Sequence, residues 1–153
     1  MPARVQVHVA PVLKRRARTR PSPASASTAA LLRRAARAAL AEADEDAELS
    51  ITLLDDAGIA AMNAQWLQHD GPTDVISFPL FEPGEPVVGD VYIGFDQVVR
   101  HARENAVRVR EELARVAVHG ALHVLGHDHP EGPGRVRSAM WRLQETIVAQ
   151  VIA

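Results

Sequence analysis

The sequence REELARVAVHGALHVLGHDH, residues 110–129, predicts a helix that ends in a turn. Apolar residues recur in it at the spacing of one helix face, namely Leu113, Val116, Ala117 and Leu122. Gly126 is typical of the position just past a helix C-terminus, where the backbone takes a positive φ that glycine tolerates. We therefore expect a helix over about residues 110–125 and a change of chain direction at Gly126.

Histidines are concentrated at this turn, and four of the seven in the chain lie between His119 and His129. His119 and His123 are four residues apart on the predicted helix, so both imidazoles project from the same face. A third ligand placed just past Gly126 can return to the same ion. His129 suits that position, and His127 competes with it. A lone histidine is usually a hydrogen-bonded core residue, but four at this spacing indicate a metal site.

Zinc is the metal that we expect, at one Zn²⁺ ion per chain. The chain has no cysteine, so its ligands must be nitrogen and oxygen. Zinc prefers four tetrahedral ligands, and three imidazoles leave one position for water, which is typical of a catalytic site. The ion lowers the pKa of that water toward about 7. A closed, structural site that also uses His127 is the alternative, and nickel, cobalt or copper would also accept three imidazoles.

Two neighbours of the histidines bear on the chemistry. Gly120 stands where the H-E-x-x-H motif of metalloproteases has its general-base glutamate, and glycine cannot move a proton. This substitution argues against peptide hydrolysis. Asp128 can orient a ligand imidazole through a hydrogen bond. The alternative is that Asp128 caps the loop beside Pro130.

The rest of the chain alternates between strand and helix patterns. We expect strands over residues 5–9, 49–53, 75–78 and 87–95. We expect further helices over about 28–43, 55–66, 97–106 and 135–151, with Ser27 or Thr28, Asp55 or Asp56, and Asp96 as N-caps. Residues 11–27 are basic and proline-containing and predict a mobile loop. The order predicts a single α+β domain, residues 1–153, with a small mixed four-stranded sheet and about five helices.

Charge is unevenly distributed along the chain. Residues 1–41 contain nine Arg and Lys and no acid, whereas residues 42–100 contain thirteen acids and one base. The basic segment can meet phosphates or be a solvated arm. Its composition also resembles a mitochondrial transit peptide, although a strand pattern starts at Val5. No apolar run approaches the roughly 18 residues of a membrane span, so we expect a cytoplasmic protein.

The histidine stretch resembles the hallmark of the YbeY family of bacterial endoribonucleases, H-G-x-L-H-L-x-G-[YH]-D-H. The match runs from His119 to His129, with Val124 in place of a leucine. A second block also matches, with Asp55, Asp56, Ile59, Met62 and Asn63 followed by Asp70, Pro72, Thr73, Asp74, Val75, Ile76, Ser77 and Phe78. The resemblance covers roughly residues 48–145.

The resemblance implies zinc ligation by His119, His123 and His129, with His127 at a non-ligand position. It implies a zinc-dependent, single-strand-specific endoribonuclease that acts in 16S rRNA 3′-end maturation and 70S ribosome quality control. The expected partners are single-stranded rRNA and the ribosome or its small subunit, with no DNA and no membrane. The expected setting is the cytoplasm.

The chain departs from the family at Leu67, where many members carry an arginine near the metal cleft. Leucine cannot make the bidentate phosphate contacts of arginine, so Arg103 or Arg115 is a candidate substitute. Asp74 is a candidate helper base or ligand-orienting group, or else a strand-entry cap. Ser77 is a candidate cleft residue, or else a hydroxyl satisfied by the backbone.

Three functions are compatible with these residues. The first is the zinc endoribonuclease, with catalytic candidates Asp74, Ser77 and Asp128 beside the zinc-bound water. The second is a ribosome- or RNA-binding assembly factor with a structural metal, which the departure at Leu67 favours. The third is a metallopeptidase, which Gly120 disfavours.

Overall fold

The computed structural model describes residues 3–16, 21–43 and 46–153. The strands are β1 (Arg4–Val9), β2 (Ala47–Leu54), β3 (Val75–Pro79) and β4 (Val87–Gly94). The helices are α1 (Pro11–Lys14), α2 (Ala26–Leu40), α3 (Asp56–Leu67), α4 (Phe95–Glu104), α5 (Val109–Val124) and α6 (Ala139–Ile152), with a 3₁₀ turn over Gly132–Arg137. No helix of these ranges has the length and apolarity that crossing a bilayer requires.

The four strands form one mixed sheet in the order β1-β2-β4-β3. β1 and β2 are parallel, β2 and β4 are parallel, and β3 runs antiparallel to β4. The alternation predicted for β2 is observed, because Leu49, Ile51 and Leu53 are buried whereas Ser50 and Thr52 are half-buried. The α+β class and the small mixed sheet are confirmed.

Helix α5 lies at the centre of the fold, in contact with β3, β4, α2, α4 and α6. Its approach to the sheet requires a residue without a side chain at Gly120. A Cβ atom there would lie 2.7 Å from Cγ1 of Val91, which is fully buried in β4. Gly126 has φ +98° just past the helix, as the sequence predicted. The close packing of α5 on β3 places the turn at Gly126 beside the edge of the sheet.

The predicted loop over residues 11–27 differs from the structure, although residues 17–20 lie outside the described ranges. Pro11 begins the short helix α1, whose Leu13 is fully buried and therefore holds this segment on the core. Helix α2 starts at Ala26 rather than at residue 28. Its N-cap is Ser25, whose hydroxyl accepts a hydrogen bond from the Thr28 backbone N–H.

Two predicted helix starts were also wrong. The chain passes from β4 directly into α4, so Gly94 is the N-cap and Asp96 lies in the first turn. The Asp96 carboxylate instead accepts hydrogen bonds from Arg16 and from the backbone N–H of Asp56. The last helix starts at Ala139 rather than at residue 135, because the extended backbone of Ser138 separates it from the 3₁₀ turn.

Candidate metal centre

The side chains of His119, His123 and His129 lie together at the C-terminal end of α5. One ring nitrogen from each lies within 4.8 Å of the others, close enough to bind a common ion. The Nε2 atoms of His119 and His123 are 3.0 Å apart. The helix spacing accounts for this pair, and the turn at Gly126 returns the chain so that His129 joins them.

Each of the three imidazoles has an oxygen acceptor at its Nδ1 atom. Nδ1 of His119 lies 2.6 Å from Oε1 of Gln144 on α6. Nδ1 of His123 lies 3.0 Å from the backbone oxygen of His127, and Nδ1 of His129 lies 3.1 Å from that of Pro130. A carbonyl oxygen only accepts, so Nδ1 carries the proton in each ring. The Nε2 lone pairs of His119 and His123 therefore face each other.

This arrangement fits a cation. Two Nε2 lone pairs 3.0 Å apart repel each other unless a proton or a metal ion lies between them. Ligand nitrogens at about 2.0–2.1 Å from a tetrahedral zinc ion are about 3.3 Å apart, close to the observed spacing. The oxygen acceptors at Nδ1 are the usual outer partners of metal-binding imidazoles. The donor set is compatible with zinc.

Burial keeps the two helix-borne imidazoles neutral. Burial lowers the pKa of His119 to about 4, and the neighbouring His123 adds to this effect. Burial also lowers the pKa of His123, as does the charge of His129. A metal ligand must be deprotonated, so both rings are ready to bind an ion at neutral pH.

A cleft of about 500 Å³ opens over the histidines, and we refer to it as the metal cleft. Its lining consists of Leu67, Asp74, Val75, Ile76, Ser77, Pro79, His119, His123, Asp128, His129, Glu131 and Arg135. Strand β3 and the end of α3 form one wall, and the loop after α5 forms the other. The structure therefore brings the second block of the sequence together with the histidine stretch.

The three candidate catalytic residues all line the metal cleft. The Asp128 carboxylate accepts a hydrogen bond from the His129 backbone N–H at 2.8 Å, which is the loop-capping contact. The Ser77 hydroxyl donates to the backbone oxygen of Gly120 at 3.2 Å, so it is satisfied by the backbone and also faces the cleft. Asp74 lies 3.7 Å from the imidazole of His101. Their catalytic roles stay predictions.

The arginines proposed to replace a phosphate contact at Leu67 do not lie in the metal cleft. Leu67 itself lines the cleft and is 41% exposed. Arg103 is exposed on α4 and does not line this cleft. Arg115 is bound by Glu145, with N···O distances of 2.9 and 3.0 Å. The arginine that does line the metal cleft is Arg135, which sequence reasoning missed.

Sequence reasoning also missed Gln144, the partner of His119. Gln144 is 1% exposed, and its Nε2 donates to the Glu145 carboxylate at 3.1 Å. A signal was present, because Gln144 interrupts the apolar face of α6. The other buried members of that face are Met140, Ile147, Val148 and Val151. A lone amide in such a face indicates a buried polar partner on a neighbouring element.

Comparison with known proteins identifies relatives over most of the chain. The sequence model of the family described as Endoribonuclease YbeY matches residues 16–152. A protein of that name from Anaeromyxobacter dehalogenans is 46% identical over 119 residues, which cover 76% of this chain and 61% of the relative. Another from Persephonella marina is 39% identical over 111 residues, covering 70% of this chain and 72% of the relative.

The chain matches 61% of the length of each of the two Anaeromyxobacter relatives. A solution structure of a Thermotoga maritima protein superposes with a TM-score of 0.63 at 25% sequence identity. That superposition covers 97% of this chain and 88% of the other. The fold described above is therefore shared with an experimentally solved protein.

Proposed function

The chain belongs to the family of YbeY endoribonucleases, and on that premise we propose that it is a zinc-dependent endoribonuclease specific for single strands. Its proposed substrate is ribosomal RNA, at the 3′ end of 16S rRNA. Its proposed role is maturation of that end and quality control of 70S ribosomes in the cytoplasm. The proposed partners are thus single-stranded rRNA and the small subunit or the whole ribosome.

One observation carries the metal assignment. One ring nitrogen from each of the three imidazoles converges with the others, while each Nδ1 lies against an oxygen acceptor. Three protein ligands leave a zinc ion one position for water or substrate, whereas a structural site fills all four. Among the described residues, His119, His123 and His129 are the set that can hold such an ion.

The residues around the metal cleft have separate proposed roles. The three imidazoles would hold the ion, which when bound would act as a Lewis acid and make a hydroxide nucleophile available at neutral pH. Gln144 keeps His119 in the required tautomer. Asp74 and Asp128 line the same cleft and are the candidate proton acceptors. Ser77 ties β3 to α5 through its bond to Gly120, which holds the cleft wall in place.

The direct test is cleavage of a labelled single-stranded RNA by nuclease-free, zinc-loaded protein. We expect cleavage of the single strand, little cleavage of the matching duplex, and loss of at least about 100-fold in rate for His123→Ala. The matched control is His8→Ala on β1, which lies at the opposite edge of the sheet from β3. Equal cleavage rates for wild type and His123→Ala would contradict the assignment as a metal-dependent endoribonuclease.

A ribosome-binding assembly factor with a structural metal is the second candidate, because Leu67 rather than a cation lines the cleft near α3. Removing the metal with a chelator distinguishes the nuclease from the assembly factor. A structural metal contributes folding energy, so its removal unfolds the protein. We expect that chelation stops RNA cleavage while the far-ultraviolet circular dichroism of the protein is largely retained.

A further inference from the structure

We propose that Arg135 is the phosphate-binding residue of the metal cleft. This inference rests on the proposed function for the identity of the ligand, a phosphodiester of single-stranded RNA. Arg135 follows the glycine- and proline-rich loop after the histidines and lies in the 3₁₀ turn before α6. It lines both the metal cleft and a neighbouring cleft of about 450 Å³ that extends toward Arg115.

The charge of the metal cleft makes Arg135 distinctive. Three carboxylates line this cleft, those of Asp74, Asp128 and Glu131. Arg135 is the one arginine or lysine among its described lining residues. An anionic RNA strand entering the cleft therefore meets a single fixed positive side chain beside the histidines. Without it the carboxylates would repel a phosphate.

The donors of Arg135 have no partner among the residues that the structure describes. No described carboxylate lies within 4.0 Å of its guanidinium, and none of its N–H groups has a hydrogen-bond acceptor in the described ranges. Its Nε atom is nevertheless shielded from solvent. A shielded donor without an acceptor is costly, so this guanidinium is not placed to satisfy the described part of the protein. Arg115 provides the contrast, because Glu111, Glu112 and Glu145 already surround it.

The position of the guanidinium is fixed by its neighbours. Its central carbon lies 5.7 Å from the centre of the Trp141 ring, within the range of a cation–π contact. The backbone oxygen of Arg135 accepts from both the backbone N–H and the hydroxyl of Ser138, at 3.2 and 2.8 Å. Stacking on an aromatic ring holds the plane of a guanidinium while its edges remain available for a phosphate.

The test compares Arg135→Gln with Arg137→Gln, a matched variant in the same turn whose exposed side chain lines neither cleft. The probe is a short fluorescent oligouridylate, titrated in chelator so that no cleavage occurs, at several salt concentrations. We expect Arg135→Gln to weaken binding about tenfold, as for one charge-assisted contact. We also expect the slope of log affinity against log salt to fall by about 0.7. Arg137→Gln should leave the RNA affinity and the salt slope nearly unchanged. Arg135→Lys keeps the charge but not the planar donor geometry, so it should restore the salt slope more fully than the affinity.

A second measurement does not depend on RNA. Inorganic phosphate is titrated into ¹⁵N-labelled protein, and the Nε–H resonance of Arg135 is followed. We expect a saturable shift that Arg137→Gln preserves. Equal RNA affinities for the two glutamine variants, or an unmoved Nε–H resonance, overturns the proposal. If phosphate and RNA binding depend on Arg135 but zinc-loaded protein cleaves no RNA, the nuclease assignment fails and the binding site stands.

Discussion

Helix α5 carries two partly buried polar clusters that use their polar atoms in opposite ways. Near its N-terminal end, Arg115 lies within 3.6 Å of three carboxylates, those of Glu111, Glu112 and Glu145. Near its C-terminal end, three imidazoles converge, and the Nε2 atoms of His119 and His123 face each other at 3.0 Å. The first cluster matches its own charges, whereas the nitrogens of the second offer lone pairs to a cation.

The difference shows that burial of polar groups does not by itself mark a ligand site. The hydrogen bonds that Arg115 donates to the Glu145 carboxylate raise the pKa of Arg115, so its charge is fixed and already matched. Burial raises the pKa of Glu112 although Arg115 is its neighbour. Arg115 and its carboxylate partners affect the stability of the fold, but their polar atoms are already paired with one another and are not offered to a ligand. Lone pairs that meet with no proton between them are the more specific sign of a metal site.

Metal addition should give the largest effect. Zinc in excess at about 1,000 times its dissociation constant should raise the free energy of unfolding of the metal-free protein by about 4 kcal/mol. Urea denaturation of the metal-free and zinc-loaded forms measures this gain. His123→Ala should lose nearly all of it, because one ligand is gone. If His123→Ala retains the gain, the zinc binds elsewhere.

Removing the positive charge of Arg115 should destabilise the fold while leaving the metal in place. Arg115→Met leaves three carboxylates without a cation, and the side chain of Arg115 is only 17% exposed. Breaking a buried ion pair costs about 3–5 kcal/mol. The Glu145 side chain is 36% exposed, so we expect about 2–3 kcal/mol in urea denaturation.

The zinc content of Arg115→Met should equal that of wild type by elemental analysis. A variant that loses both stability and zinc would show that the two clusters act as one unit. That result is physically possible, since Gln144 contacts both His119 and Glu145.

The local parts of this design were predictable from sequence, and the parts that depend on contacts between distant elements were not. Alternation in β2 and helical spacing in α5 are local patterns, and a glycine at position 126 indicates a positive φ just past the helix. Gln144 and Arg135 lie in segments whose position depends on how α6 packs against α5. The break at Ser138 was missed because the 3₁₀ turn before it continues the helical spacing.

The stability of the metal-free protein should fall as the pH is lowered from 6.5 toward 4. The pKa of His119 is lowered from 6.5 to about 4 in the folded state, so between these values the unfolded chain binds a proton that the folded chain does not. The free energy of unfolding therefore decreases with falling pH, by about 2–3 kcal/mol over the window. Below pH 4 both states are protonated at this residue and its contribution stops changing.

Carboxylates titrate in the lower part of that window, so the measurement is a difference between wild type and His119→Gln. Urea denaturation of both in chelator, at steps from pH 7 to pH 4, isolates the imidazole. We expect a flatter profile for the variant. Parallel profiles would mean that the folded state of the wild type protonates His119 without cost.

The smallest effect should come from Gln144→Met, which removes the acceptor for Nδ1 of His119 without touching a ligand. Loss of such an outer partner reduces metal affinity by about 10–100-fold, and we expect the lower figure because the ring stays packed against α6. Competition with a zinc chelator of known strength measures it. Gln150→Met, an exposed change on the same helix, is the control. If Gln144→Met binds zinc as tightly as Gln150→Met, the hydrogen bond to His119 does not orient the ligand.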